Sequence, residues 1–209
     1  MFKDIFIPFT AIVGMIAFLG DFLITIIVGF FYPNYSHIKD TMSELGNRES
    51  PFRLVMTIWW IIFGCFFVLF ALGFGFATDF TNRYIITLVV LISTFGLGAG
   101  IIAGYFPLDP RGAEESPSAK IHGIAAGIGF IGLAIVPGLS LGYFKDSSNP
   151  GIFICAIICQ ILSALFLVLF LLSENPKVPF SGLWQRLFLL SNYAFLFLLG
   201  ILMIMTDSI

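Results

Sequence analysis

Six stretches of this chain, at about 8–31, 52–77, 84–106, 118–143, 151–172 and 184–205, each run for more than 20 residues with almost no charge. An α-helix rises about 1.5 Å per residue, so roughly 20 apolar residues cross the ~30 Å hydrocarbon core of a bilayer. Inside that core no water meets the backbone N–H and C=O groups, and helices satisfy them internally. Composition agrees: 59% of the 209 residues are apolar, 26 are Phe, and only 11% are charged, against about 25% charged in soluble domains. One compact core cannot hide that much apolar surface from water. The expected fold is all-α: a six-transmembrane-helix bundle of three helical hairpins, with residues 1–209 forming one integral membrane domain.

Helix-entry chemistry marks three of the starts. Ser50-Pro51, Ser116-Pro117 and Asn149-Pro150 each place a capping side chain before a proline. Tyr32, Trp59, Trp60, Tyr84, Tyr105, Tyr143 and Trp184 fall near the span ends and read as an interfacial aromatic belt. The first apolar run is too long for a signal-peptide core and lacks a small-residue cleavage site, so no cleaved signal peptide is expected. Net charge is −2 with no basic run, which excludes nucleic acid as a partner. Cys65, Cys155 and Cys159 lie within apolar stretches and read as structural.

The connections after spans 1, 3 and 5 are long and rich in ionisable groups, whereas those after spans 2 and 4 are short. An even number of crossings separates the three long ones, so they share one membrane face. That loop-rich face carries seven of the ten Lys and Arg residues, but its loops are also about twice as long, and the positive-inside rule leaves the orientation open. Gly96, Gly100 and Gly104 in span 3, with Gly123 and Gly127 in span 4, recur every fourth residue. This spacing points to close packing of these two helices, with a substrate-lining face or a homo-oligomer face as alternatives.

Of the ionisable acids and bases, only Asp21 lies near the middle of a span, where an acid is by default a functional candidate. Asn192, Gln160, Ser93 and Ser163 are its possible partners within the spans. In the first long connection, Ile38, Met42 and Leu45 are spaced along one side of a short amphipathic helix ended by Gly46, expected to lie in the interface. Its polar positions offer His37, Asp40, Ser43 and Glu44. The second connection brings Asp109, Arg111, Glu114 and Glu115, then His122 one turn inside span 4. The third brings Glu174 and Lys177, then Gln185 and Arg186 at the start of span 6. Sharing one face, these residues are expected to converge on a polar vestibule. There Ser43, Glu44, Asp109 and His122 are candidates for catalysis, and His37, Asp40, Gln185 and Arg186 for binding a substrate head. Asp21 and Asn192 are the midplane polar pair.

Tyr35-Ser36-His37, Ser43-Glu44-Leu45-Gly46, Phe106-Pro107-Leu108-Asp109, His122-Gly123 and Gly182-Leu183-Trp184-Gln185-Arg186 resemble, in this order, the prokaryotic membrane family catalogued as domain of unknown function 998. The resemblance runs from about residue 8 to 205. It implies the six-helix fold, an integral protein of a prokaryotic plasma membrane, and a role for the polar positions, without naming a reaction. The chain is similar only in part to the seven-helix hydrolases that include alkaline ceramidases, which use a Ser, an Asp and three His around zinc. It has only His37 and His122, so a zinc site would need Asp40 or Asp109 as a further ligand. No cofactor is expected. The leading reading is a protein that binds or processes a membrane lipid or other amphiphile, whether or not as an enzyme. The alternatives are a small-solute or proton-coupled transporter centred on Asp21 and a non-catalytic assembly or regulatory subunit.

Overall fold

A computed structural model describes residues 2–145, 150–173, 175 and 177–205, so the Asn149 cap and Glu174 lie outside the described residues. It contains six helices long and apolar enough to cross a membrane: α1 (Phe2–Phe31), α2 (Arg53–Ala77), α3 (Arg83–Tyr105), α4 (Pro117–Phe144), α5 (Pro150–Leu172) and α6 (Ser181–Met205). Helix α1 starts six residues earlier than expected and carries Pro8 inside it. Ser116 caps α4 as the sequence suggests, its side chain accepting the Ala119 N–H with Pro117 in the first turn. The expected Ser50 cap is not formed: Ser50 accepts the Phe52 N–H at 3.1 Å in the turn before α2, which begins at Arg53 with Phe52 as its N-cap and no side-chain cap bond.

Each helix packs on its neighbour in the chain, and α6 returns to pack on α1, which closes a ring of six. The outer surface is Ile, Leu and Val: Ile5, Ile12, Ile16, Leu19 and Leu23 all point out of α1. The interior is built from rings and small residues. Phe18, Phe67, Phe70, Phe74, Phe95, Phe188 and Phe195 are essentially buried, and their edge-to-face contacts supply packing that apolarity alone cannot provide against a lipid solvent.

The glycines pack differently from expectation. The span 3 run does not face the span 4 run; Gly96, Gly100 and Gly104 lie against Gly64 and Trp60 of α2. A side chain on Gly64 would strike the Gly96 carbonyl and Ile101, so α2 and α3 touch backbone to backbone. The reason lies in Gly96–Ile102, a π-helical stretch with i→i+5 bonds. Its wider turn keeps residues four apart on the α2 side and directs Gly98 and Ala99 to Ala125 and Gly129 of α4. Gly123 and Gly127 have nothing within 4 Å of an added side chain. The aromatic belt also needs correction. Trp60 is buried and Trp59 turns into the bundle, whereas Tyr105 is 66% exposed at its end of α3.

Gly64→Val should therefore cost about 1–3 kcal/mol of stability or block folding, while Gly123→Ala changes it by less than about 0.5 kcal/mol, read from thermal unfolding in detergent. Equal effects at the two sites would contradict this packing.

Candidate functional site

The loop-rich face is closed by the connection after α1. Asp40 folds residues 36–40 into a turn: its backbone N–H reaches the Ser36 carbonyl at 2.7 Å and its carboxylate takes the Ser36 N–H at 2.6 Å. Thr41 is extended, and only Met42–Gly46 forms a short 3-10 helix. The expected amphipathic stripe is thereby broken. Ile38 is exposed, but Met42 and Leu45 are buried in the bundle, so this segment is a lid set into the helices and not an amphipathic helix lying flat on the bilayer.

The start of α6 holds the lid. Gln185 Oε1 accepts the Met42 N–H at 2.7 Å, the Leu183 N–H reaches the Ile38 carbonyl at 2.9 Å, and the Ser181 hydroxyl donates to the Lys39 carbonyl. Arg186 donates to the His37 and Asp40 carbonyls at 2.7 and 3.1 Å and to the Tyr35 hydroxyl at 2.6 Å. Gly182 makes this approach possible, because a Cβ there would collide with the Asp40 and His37 carbonyls. The connection after α3 adds a second set of ties. Arg111 spans Asp40 and Glu44 at 2.7 and 2.8 Å. Arg48 pairs with Asp109 at 3.1 Å and donates to Ser116, and the Asp109 carboxylate accepts the Ser116 N–H at 2.6 Å.

These surroundings set the protonation of the lid groups. The Ser116 N–H holds the Asp109 carboxyl below its usual range. Burial raises that of Glu44, against the opposing pull of Arg111, and pushes Tyr35 up to about 12. Burial, and then the Arg186 guanidinium 3.4 Å from Nδ1, lower His37, with Asp40 acting the other way.

Beneath the lid lies a cavity of about 40 Å³. Its polar wall is Asp21, Ser43, His122, Gln185 and Tyr193. Asp21 is ten residues before the end of α1, about 15 Å into the helix by its rise. Its carboxylate accepts the Tyr193 hydroxyl at 3.0 Å and the Trp59 indole N–H at 3.4 Å. None of the partners named from sequence reaches it. Asn192 donates to Ser163 at 2.8 Å across α5 and α6, and Gln160 accepts the Gly138 N–H. His122 Nδ1 lies 2.8 and 2.9 Å from the Ala103 and Phe106 carbonyls. Both partners are acceptors, which assigns the proton to Nδ1 and leaves a lone pair on Nε2.

The convergence of His37, Asp40, Glu44, Asp109, His122 and Arg186 on one end of the bundle is present, but in two layers. His37, Asp40, Glu44, Asp109 and Arg186 build the lid; Ser43, His122, Gln185 and Asp21 line the cavity. Asn192 belongs to the α5–α6 seam. No group of three or more His, Cys, Asp or Glu residues able to hold a metal occurs among the described residues. The His37 ring packs on Phe30 and Tyr35 in the lid while His122 is tied to the end of α3, so the zinc variant built on both histidines lacks its geometry. Tyr193 and Trp59 were not among the expected site residues. Spacing held a signal for Tyr193, since Gln185, Leu189 and Tyr193 lie at i, i+4 and i+8 on one face of α6 and all three line the cavity.

Acid should loosen the lid. A His37 whose folded value is lowered favours the lid fully above about pH 6.5, and this contribution is lost as pH falls from there toward the folded value, because the released imidazole binds protons more readily. Thermal stability should therefore drop from about pH 7 to about pH 5, and His37→Gln should flatten that slope. An unchanged slope in the variant would refute the link.

No curated protein and no solved structure matches this chain. The family model described as Protein of unknown function (DUF998) matches residues 15–202. With nearly its whole membrane bundle inside that match, and the lid and cavity residues with it, the chain belongs to the DUF998 family.

Proposed function

We propose that this protein binds or processes an amphiphile whose polar head enters the cavity from the loop-rich face while its chain stays in the bilayer. The observation that carries this reading is one-sidedness. Polar groups with open hydrogen-bonding capacity face the cavity under the lid, whereas beyond Asp21 and Tyr193 the bundle is filled by Phe18, Phe67, Phe70 and Phe74. A buried polar group is costly unless it has a partner, so this wall is better explained by a ligand than by helix packing.

At about 40 Å³ the cavity has room for a few waters and not for a lipid head. Entry therefore requires the lid to move. Asp21, Ser43, His122 and Gln185 contact the head, with His122 Nε2 as the base and Ser43 as a second polar contact in any reaction. His37, Asp40, Glu44, Asp109 and Arg186 govern access. A transport reading rests on the depth of Asp21 and its lack of an ion pair among the described residues, but the phenylalanine layer stands across its route.

Native mass spectrometry of protein released gently from membranes should find a retained lipid. Asp21→Asn, His122→Ala and Gln185→Ala should each reduce that retention by about tenfold or more, the worth of one charge-assisted or buried hydrogen bond. Equal retention in all three folded variants would sink the proposal, and pH-driven uptake into liposomes abolished by Asp21→Asn would favour transport.

A further inference from the structure

The charge inventory of the cavity narrows the class of head it accepts; this step rests on the amphiphile reading above. Asp21 is the only Asp, Glu, Lys or Arg among the described residues of the lining. Its two hydrogen-bond partners, Tyr193 and Trp59, are neutral donors, so no ion pair among the described residues neutralises the carboxylate. His122 spends its Nδ1–H on two carbonyls and offers a lone pair at Nε2. Gln185 has its oxygen occupied by the Met42 N–H and offers its amide hydrogens.

Arg186, the cation that the sequence assigns to a substrate head, lies outside the lining with its two terminal nitrogens bonded to the lid and only Nε unpartnered, and the neighbouring arginines are paired within the lid. Arg186 is bonded to the lid carbonyls and Tyr35, Arg111 to Asp40 and Glu44, and Arg48 to Asp109 and Ser116. With the lid seated, an anionic head in this cavity meets a carboxylate and an imidazole lone pair, and no Lys or Arg lines the wall. A hydroxyl or ammonium donates to both, and a hydroxyl also accepts from Gln185.

We infer that the cavity selects amphiphiles whose head is a hydrogen-bond donor without negative charge, a long-chain alcohol or amine, and rejects carboxylate and phosphate heads.

The test offers oleyl alcohol, oleylamine and oleate separately, at one micellar mole fraction in non-ionic detergent. It is run at about pH 9, where the carboxylate is ionised and the amine still protonated. Native mass spectrometry reads the fraction of protein retaining each probe. The alcohol and the amine should each bind at least about tenfold more tightly than oleate, and Asp21→Asn should bring the amine down to the level of the alcohol. Oleate binding as tightly as either donor head overturns the inference, and so does amine binding that is unchanged in Asp21→Asn. The wild-type rank order decides the matter even if the variant fails to fold. Retention of none of the three probes overturns the amphiphile reading itself, which is a different result from a reversed preference.

Discussion

A polar group inside hydrocarbon must find its partner within the protein, because the solvent offers none. This constraint orders the whole loop-rich end of the bundle. Three connections meet there, and their turns leave backbone carbonyls that water would otherwise satisfy. Arg186 answers for two of them, and Leu183 and Ser181 for two more, so the lid is bonded into the start of α6. The planar guanidinium reaches several acceptors at once, which an ammonium could not do with the same geometry. Gly182 is its structural complement, since only a residue without a side chain lets the two lid carbonyls come so close.

Asp21 obeys the same constraint deeper in the bundle. It is held by the hydroxyl of Tyr193 and the indole of Trp59, both of which are otherwise apolar rings in an aromatic interior. Each ring does two jobs, packing against phenylalanine on one side and donating to the carboxylate on the other. The π-helical stretch of α3 contributes to the same place. It brings Ala99 and Ala103 to the cavity wall and leaves the terminal carbonyls of α3 facing His122. Small side chains at that wall leave space where a larger residue would fill it.

Much of this was legible in the sequence, and for identifiable reasons. The spans follow from length and apolarity, and the Ser116-Pro117 start from capping chemistry. Counting crossings was enough to bring His37, Asp40, Glu44, Asp109, His122 and Arg186 to one end. The lid was misjudged because Ile38, Met42 and Leu45 have a helical spacing, and spacing says nothing of the Asp40 turn that interrupts it. α3 and α4 pack closely, as their small residues suggest, but through Gly98, Ala99 and Gly129; the i, i+4 spacing of Gly96, Gly100 and Gly104 puts them on one face without saying which neighbour that face meets. Spacing does not pick out the partners of Asp21, because Trp59 reads as a belt aromatic and nothing in the sequence ties Tyr193, a hydrogen bonder within span 6, to span 1.

By itself the sequence determined the number of helices, where each crosses to within a few residues, the face on which the polar chemistry gathers and the family to which the chain belongs. Only the tertiary structure decided which side of each helix looks inward, that the polar residues divide into a lid and a cavity, and that the arginines serve the lid. The physical reason is the solvent. In water, apolarity tells inside from outside; in lipid both sides are apolar, and the inward face is chosen by ring packing, small-residue contact and hydrogen bonds between residues far apart in the chain.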